Sequence, residues 1–422
     1  MTRLIEKGLQ GQSEQSFESE VELSELILTS DLKSEYDKLV EQSLALEDAQ
    51  RVIGKLKTHL HASQESGVSL DEDHYRLYRL ALESALGSDE HLPETIDTES
   101  LDELEKRIEY AQENLFERIG DFFDKFGNRF NPIRAGLKEL QKKLEDKLRQ
   151  TDDLNTDKSF KIAKTAGSNL IGDDNEIEVT KLPNQLKQNN DQVRKFMNRF
   201  FSFANSVYEQ IESNRSKINK AAEKSDDEQK AAKEAQGPAN DLIKILEDHL
   251  DDVRSTHGQK FLGRFEVVVP EKGKWKAKLK DGDNWQHLVT PQIKQVNKVK
   301  NFNRELPVPD KRAVEDILSE TSSAIDIMEE GFDFIEKTID SMKKASKEAE
   351  DKPKVRRRIF SLDNLVTLVN NGLVGVLALY FGDGLQRFMR SNNETIFATI
   401  DYQAKIIGSS LQLVERALKA GK

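Results

Sequence analysis

Nine apolar side chains stand three or four residues apart between positions 101 and 130: Leu101, Leu104, Ile108, Ala111, Leu115, Ile119, Phe122, Phe126 and Phe130. That spacing follows the turn of an α-helix and lays them all on one face, with charged residues on the others. An apolar face of that length has to be buried against another rod, so the chain is constrained to helix-on-helix packing. The pattern recurs. Leu46, Ala49, Ile53, Leu56 and Leu60 form one stripe, and Leu77, Leu80, Ala81 and Leu86 another. Ser66-Gly67 ends the first, and Ser69-Leu70-Asp71-Glu72 caps the second, which predicts a short antiparallel hairpin. Ser100-Leu101-Asp102-Glu103 is a second capping box, opening the aromatic-rich helix.

Downstream stripes are Ile133, Leu137, Leu140, Leu144 and Leu148; Leu182, Leu186, Val193, Phe196, Phe200, Phe203, Val207, Ile211 and Ile218; and Leu242, Ile245, Leu246, Leu250 and Val253. Val314, Ile317, Thr321, Ala324, Met328, Phe332, Ile335, Ile339 and Met342 follow, then Ile396, Ile400, Ile407, Leu411, Val414 and Leu418. Asn131-Pro132 predicts a break or kink. Pro238 is expected in a first helical turn. Residues 151–179 read as loop with one short helix, and 305–310, with Pro307 and Pro309, as punctuation.

One stretch changes period. Residues 265–269 make a strand candidate, 274–280 alternate strictly, and 285–289 supply a third strand, with turns at 270–273 and 281–284. The expected fold is therefore all-α, an elongated multi-helix bundle or bundles, with one small β-hairpin or three-stranded insertion near residues 265–289. The chain divides into an acidic N-terminal segment (1–47), a helical hairpin with long aromatic-rich helices (48–150), a loop and long helices (151–262), the β insertion (263–305) and a C-terminal helical bundle (306–422).

Charged residues make up 33% of the chain against 36% hydrophobic, a balance that suits slender rods with much surface per core residue. Cysteine is absent, which excludes disulfides, thiolate zinc sites and a cysteine nucleophile. Residues 1–25 are acidic and lack the apolar core of a secretory signal. No histidine pair has the three- or four-residue spacing of helix-borne metal ligands: His59 and His61 are two apart. With His74, His91, His249, His257 and His287 they read as ordinary surface histidines. No phosphate-cradling loop, nucleophile elbow or dinucleotide fingerprint is present, so no catalytic, metal-binding or cofactor-binding residue is assigned and the chain is expected not to be an enzyme.

The net charge of -12 disfavours nonspecific attraction to DNA by the whole molecule, so nucleic-acid contact requires a local basic patch. Lys272, Lys274, Lys276, Lys278 and Lys280 share one face of the expected hairpin; they suit either phosphate contact or the solvated face of an edge strand. Lys352, Lys354, Arg356, Arg357 and Arg358 form a second cluster, open to nucleic acid, anionic lipid, an acidic partner or plain linker. The most apolar stretch, 362–381, contains Asp363, Asn364, Asn370 and Asn371 and reads as a buried core hairpin rather than a membrane span.

The order of parts resembles a known family. An acidic N-terminal segment precedes a hairpin ending in Leu80-Ala81-Leu82-Glu83-Ser84-Ala85-Leu86, then a long helix centred on Phe122-Phe123-Asp124-Lys125-Phe126, with a strand-forming segment, here 265–279, before the last helices. This resembles the internal head (internal virion) proteins of large tailed bacteriophages, most closely over 43–148. The resemblance implies a non-enzymatic structural protein in the capsid interior, present in the host cytoplasm during assembly, with other virion proteins and packaged DNA as partners and no cofactor. It also implies N-terminal trimming by a protease that takes a small residue, any residue, then glutamate. Ser16-Phe17-Glu18 and Ala45-Leu46-Glu47 fit, so cleavage is expected after Glu18 or Glu47. Trimming at Glu47 removes eleven acidic and four basic residues, taking -12 to -5; trimming at Glu18 changes the charge by one unit. The rival readings are a helical membrane-active protein of pore-forming type, inserting 362–381, and a cytosolic helical scaffold or adaptor.

Overall fold

A computed structural model describes residues 98–172, 176–224, 228–254, 258–269, 290–296, 302–350, 374–381 and 383–422, with isolated positions between 35 and 53. The elements are α1 (Thr98–Arg149), β1 (Ser159–Lys161), α2 (Lys164–Leu170), α3 (Leu182–Lys224), α4 (Glu228–Arg254), β2 (Lys260–Phe261), β3 (Phe265–Val268), β4 (Gln292–Gln295), β5 (Glu305–Pro307), α5 (Lys311–Glu350), the short α6 (Val374–Leu377) and α7 (Asp383–Gly421). The fold is mostly all-α, with a small antiparallel sheet in the order β2-β3-β4 and a two-stranded ribbon of β1 and β5.

The long stripes became buried faces. Every apolar member of the α3 stripe is in the core, and so are all six of α7. On α5, Val314, Ile317, Ala324, Met328, Phe332 and Ile335 are buried, but so are Leu318, Ile325, Ile327 and Phe334. A helix buried over more than one stripe is wedged between neighbours: α5 packs on α7, α3 and α1. Asp310 caps it, its Oδ1 accepting the Ala313 N–H at 2.7 Å.

The expected break at Asn131-Pro132 is overturned: α1 runs unbroken through Pro132. At 52 residues it spans about 78 Å. Both halves are anchored, which offsets the roughly 3 kcal/mol that a helix-interior proline costs. On the C-terminal half Leu144 and Leu148 are buried, and Gln141 donates to the Leu318 carbonyl of α5 at 3.3 Å. Lys138 pairs with Glu329 at 2.5 Å. On the N-terminal half, Phe122 is buried, and helical positions between 35 and 53 bring Leu39, Leu46, Ala49 and Ile53 into the core. Lys125 pairs with Glu35 at 2.9 Å and Arg118 donates to Gln42 at 2.7 Å. Contacts that step up one helix as they step down the other mean antiparallel packing. The rest of the expected hairpin, from 54 to its end at Gly87, lies outside the described residues.

Pro238 likewise stands inside α4, not in its first turn. The alanine-rich stretch ahead of it has the propensity to carry the helix back to Glu228. The segment read as punctuation is a strand: β5 pairs with β1 in the register Ser159↔Pro307, Phe160↔Leu306, Lys161↔Glu305. Pro307 tolerates this because it sits at the end of an edge strand, where no ladder donor is needed. The stretch 151–179, expected as loop and short helix, does hold the short α2 but also β1, with Phe160, Ile162, Ala166, Leu170 and Ile171 buried. Gly421 N-terminal to the last residue closes this region, its carbonyl accepting the Asn155 N–H at 3.0 Å.

The strand expected at 265–269 is β3. Its described partners, however, are β2 and β4, in the registers Phe261↔Phe265 and Val267↔Ile293. Neither had a readable alternation, because strands of two and four residues are too short to carry one. The expected strands at 274–280 and 285–289 lie outside the described residues. Of 362–381, the described part is helical and buries Val376, Leu377, Leu379 and Tyr380.

Candidate functional site

α7 is unlike an ordinary amphipathic helix. Beside its apolar stripe it buries Ser391, Asn392, Asn393, Thr395, Thr399, Gln403, Ser409, Ser410 and Gln412. It is surrounded: α5, α2, α1, β1 and β4 all contact it. Several of the short polar side chains bond within the helix or across to a neighbouring segment. Thr399 bonds the Thr395 carbonyl at 2.8 Å, Ser391 bonds the Thr290 hydroxyl at 2.9 Å, and Thr395 bonds the Pro291 carbonyl at 2.6 Å. These last two tie the helix to the approach of β4.

A polar hub joins α3, α7 and the β2–β3 turn. Asn189 Oδ1 accepts the Tyr402 hydroxyl at 2.5 Å and the Leu262 N–H at 3.2 Å. The turn itself requires left-handed backbone at Gly263 (φ 69°) and Arg264 (φ 63°). Burial pushes the Tyr402 phenol well above its ordinary pKa, so it stays a donor.

An aromatic cluster lies between α3 and α4. The His249 ring stacks on Phe203 with centroids 3.5 Å apart, and Phe203 meets Phe388 of α7 edge-on at 5.5 Å. His249 is therefore a core residue and not the surface histidine expected. Desolvation pushes it down to about 3, which keeps it neutral. The other six histidines lie outside the described residues. Phe201 of α3 stacks on Phe334 of α5 at 4.2 Å, lining an open cleft of about 380 Å³ with Asn198, Asn205, Glu330 and Asp333. Among the described residues no group of three or more His, Asp or Glu side chains is placed to hold a metal, and no helix is long and apolar enough to cross a membrane.

The five lysines at 272–280, the basic cluster at 352–358, and Glu18 and Glu47 all lie outside the described residues. Their surroundings are informative. The pairing of Val268 with Gln292 brings the two ends of the lysine-bearing segment side by side. At the second candidate cleavage site, Ala45 and Leu46 are helical and Leu46 is only 6% exposed.

Sequence reading missed a basic group that assembles from distant elements. Arg304 bonds the Ile162 carbonyl at 2.9 Å, and Arg416 bonds the Lys161 carbonyl at 2.6 Å. Residues 255 positions apart leave no pattern in a linear chain.

The model of the phiKZ-like phage internal head proteins matches residues 18–402. The chain belongs to that family. Comparison with curated proteins and with solved structures gives no match. Membership in the internal head family extends over α1 to α6, the sheet, the ribbon and the first half of α7.

Proposed function

We propose that this internal head protein is a non-enzymatic structural component, packaged inside the capsid with the genome and trimmed at its N-terminus before acting. The observation that carries the proposal is the family match over residues 18–402. It favours this reading over the membrane-active and adaptor alternatives. The burial of α7 on all sides supports a role in which the chain acts as a packed body among other virion proteins.

Of the two trimming sites, the reading takes Glu18. A protease binds its substrate as an extended, accessible strand. Helical Ala45 and buried Leu46, packed along α1, oppose that geometry at Glu47. Trimming at Glu18 leaves the mature protein acidic, so contact with DNA falls to local patches. Lys272, Lys274, Lys276, Lys278 and Lys280, and Lys352, Lys354, Arg356, Arg357 and Arg358, are the sequence-derived candidates. Ejection with the DNA is the final part of the proposal.

Mass spectrometry of purified DNA-filled particles tests it. The expected result is this chain in the particles with its first peptide starting at Ser19. Absence from particles overturns the packaging proposal, and a first peptide starting at Asp48 overturns the choice of Glu18.

A further inference from the structure

We infer that the open cleft between α3 and α5 is a binding site for a neutral sugar ring, a monosaccharide or the terminal unit of a glycan. The inference goes beyond the packaging proposal and stands or falls independently of it.

The two helices run side by side in the same direction: Asn190 bonds the Glu320 carbonyl at 2.8 Å, and further along both, Phe201 stacks on Phe334. The cleft between them has a volume of about 380 Å³, at the small-ligand end of the range for binding clefts. One wall is aromatic. Phe334 is buried, and Phe201, stacked on it with centroids 4.2 Å apart, is only half-buried, so part of the Phe201 ring is open to the cleft. The inner end is fixed by hydrogen bonds that join three helices. Asn392 of α7 donates to the Tyr208 hydroxyl at 3.4 Å, Tyr208 bonds Thr338, and the Thr338 hydroxyl donates to the Phe334 carbonyl at 2.8 Å. This wall is built before any ligand arrives, which lowers the ordering cost of binding.

The rim selects the ligand. Asn198 and Asn205 are exposed on α3, two helical turns or about 10 Å apart, one on either side of Phe201 along the helix. Each amide offers both donors and an acceptor, and the exposed Asp333 of α5 adds an acceptor-only carboxylate. Charge does not favour an ion. Glu330 pairs with Arg194 at 3.7 Å and Lys337 has a partner of its own, so the two carboxylates and two cations at the cleft leave no net charge to attract either sign. A wholly apolar ligand would strip water from the amides and the carboxylate without replacing their hydrogen bonds. The remaining match is a neutral molecule with an apolar face and a rim of hydroxyls. A pyranose ring has that form: its C–H face lies on Phe201, and its hydroxyls donate to Asp333 and exchange hydrogen bonds with the two amides.

Saturation-transfer difference NMR on the full chain tests this, with glucose, galactose, mannose and N-acetylglucosamine as probes and with putrescine and adenosine as a cationic and a nucleobase alternative. At least one of the four sugars is expected to take up saturation at its ring C–H protons. Asp333→Ala and Asn205→Ala, both at exposed positions, are each expected to weaken that sugar's affinity about fivefold, the equivalent of one hydrogen bond. Phe201→Leu keeps an apolar side chain in place but removes the ring, and is expected to weaken it by a similar factor. Lys195→Ala, at an exposed position of α3 outside the cleft, is expected to leave it unchanged. Circular dichroism establishes that each variant is folded. Absence of saturation in all four sugars overturns the inference. Saturation that survives Asp333→Ala, Asn205→Ala and Phe201→Leu unchanged also overturns it, as does an equal loss in Lys195→Ala. Binding of putrescine or adenosine without any sugar overturns it too.

Discussion

The phenol of Tyr402 and the side-chain oxygen of Asn189, 213 residues apart, are hydrogen-bonded at the centre of the protein. The same oxygen takes the Leu262 N–H, so one amide side chain joins α3, α7 and the entry to the three-stranded sheet. Asn189→Ala leaves two buried donors without that acceptor, whereas Tyr402→Phe removes one donor and leaves the Leu262 bond in place. We expect losses of about 2–3 kcal/mol for Asn189→Ala and about 1 kcal/mol for Tyr402→Phe. Urea denaturation measures both. Equal losses would mean that Asn189 does not act as the shared acceptor.

The burial of His249 makes stability depend on pH. An ordinary histidine protonates near pH 6.5, while burial holds His249 down to about 3. Between those values the unfolded chain takes up a proton that the native protein excludes. The stabilising contribution is complete above pH 6.5 and is lost as pH falls, by up to about 1.4 kcal/mol per unit. His249→Phe removes this component. Between pH 7 and pH 5 the wild type should lose roughly 2 kcal/mol more than the variant. Parallel pH profiles would show that His249 titrates normally.

Glycines at two positions should respond in opposite directions. Gly263 has φ 69°, and a Cβ there would lie 2.9 Å from the Asn169 carbonyl oxygen, a backbone atom with nowhere to yield. Gly263→Ala is expected to cost about 2–4 kcal/mol, from strain plus overpacking. Gly136, inside α1, has nothing within 4 Å of the same position. Gly136→Ala should stabilise by about 0.5–1 kcal/mol, through helix propensity. Thermal melts of the two variants should bracket the wild type, and a raised melting temperature for Gly263→Ala would refute the left-handed turn.

N-terminal truncation separates the two trimming sites by stability. Removing residues 1–18 touches no described core residue and should leave the melting temperature unchanged. Removing residues 1–47 takes Leu39 and Leu46 out of the core and breaks the Glu35–Lys125 pair beside Phe122. Each buried leucine removed is worth about 1.5–3 kcal/mol. Scanning calorimetry should show the longer truncation melting lower. Identical melts would mean that this helical segment contributes nothing to the fold.

Much of the helical architecture was legible, for a local reason. Leu182 to Ile218 and Val314 to Ile335 repeat with the period of the helix itself, and a repeated period does not depend on what the helix meets. The same locality made Pro132 and Pro238 look like boundaries. Their backbone cost is local, but the burial that overrides it is not. Likewise Glu305–Pro307 carried no strand signal: its partner, Ser159–Lys161, lies far back in the chain, and the pairing depends on where α1 and α5 have already placed both segments.

His249 and the polar residues of α7 mark the limit most clearly. By itself the sequence determined that this is a chain of long amphipathic rods, which faces of them are apolar, and that its overall charge is acidic. Only the tertiary structure decided that α7 would be the enclosed rod, that Gln403 would be buried with Ile400, and that Arg304 and Arg416 would meet on the Lys161–Lys164 segment. Periodicity is a property of neighbours along the chain; enclosure and charge convergence depend on contacts between residues one or two hundred positions apart.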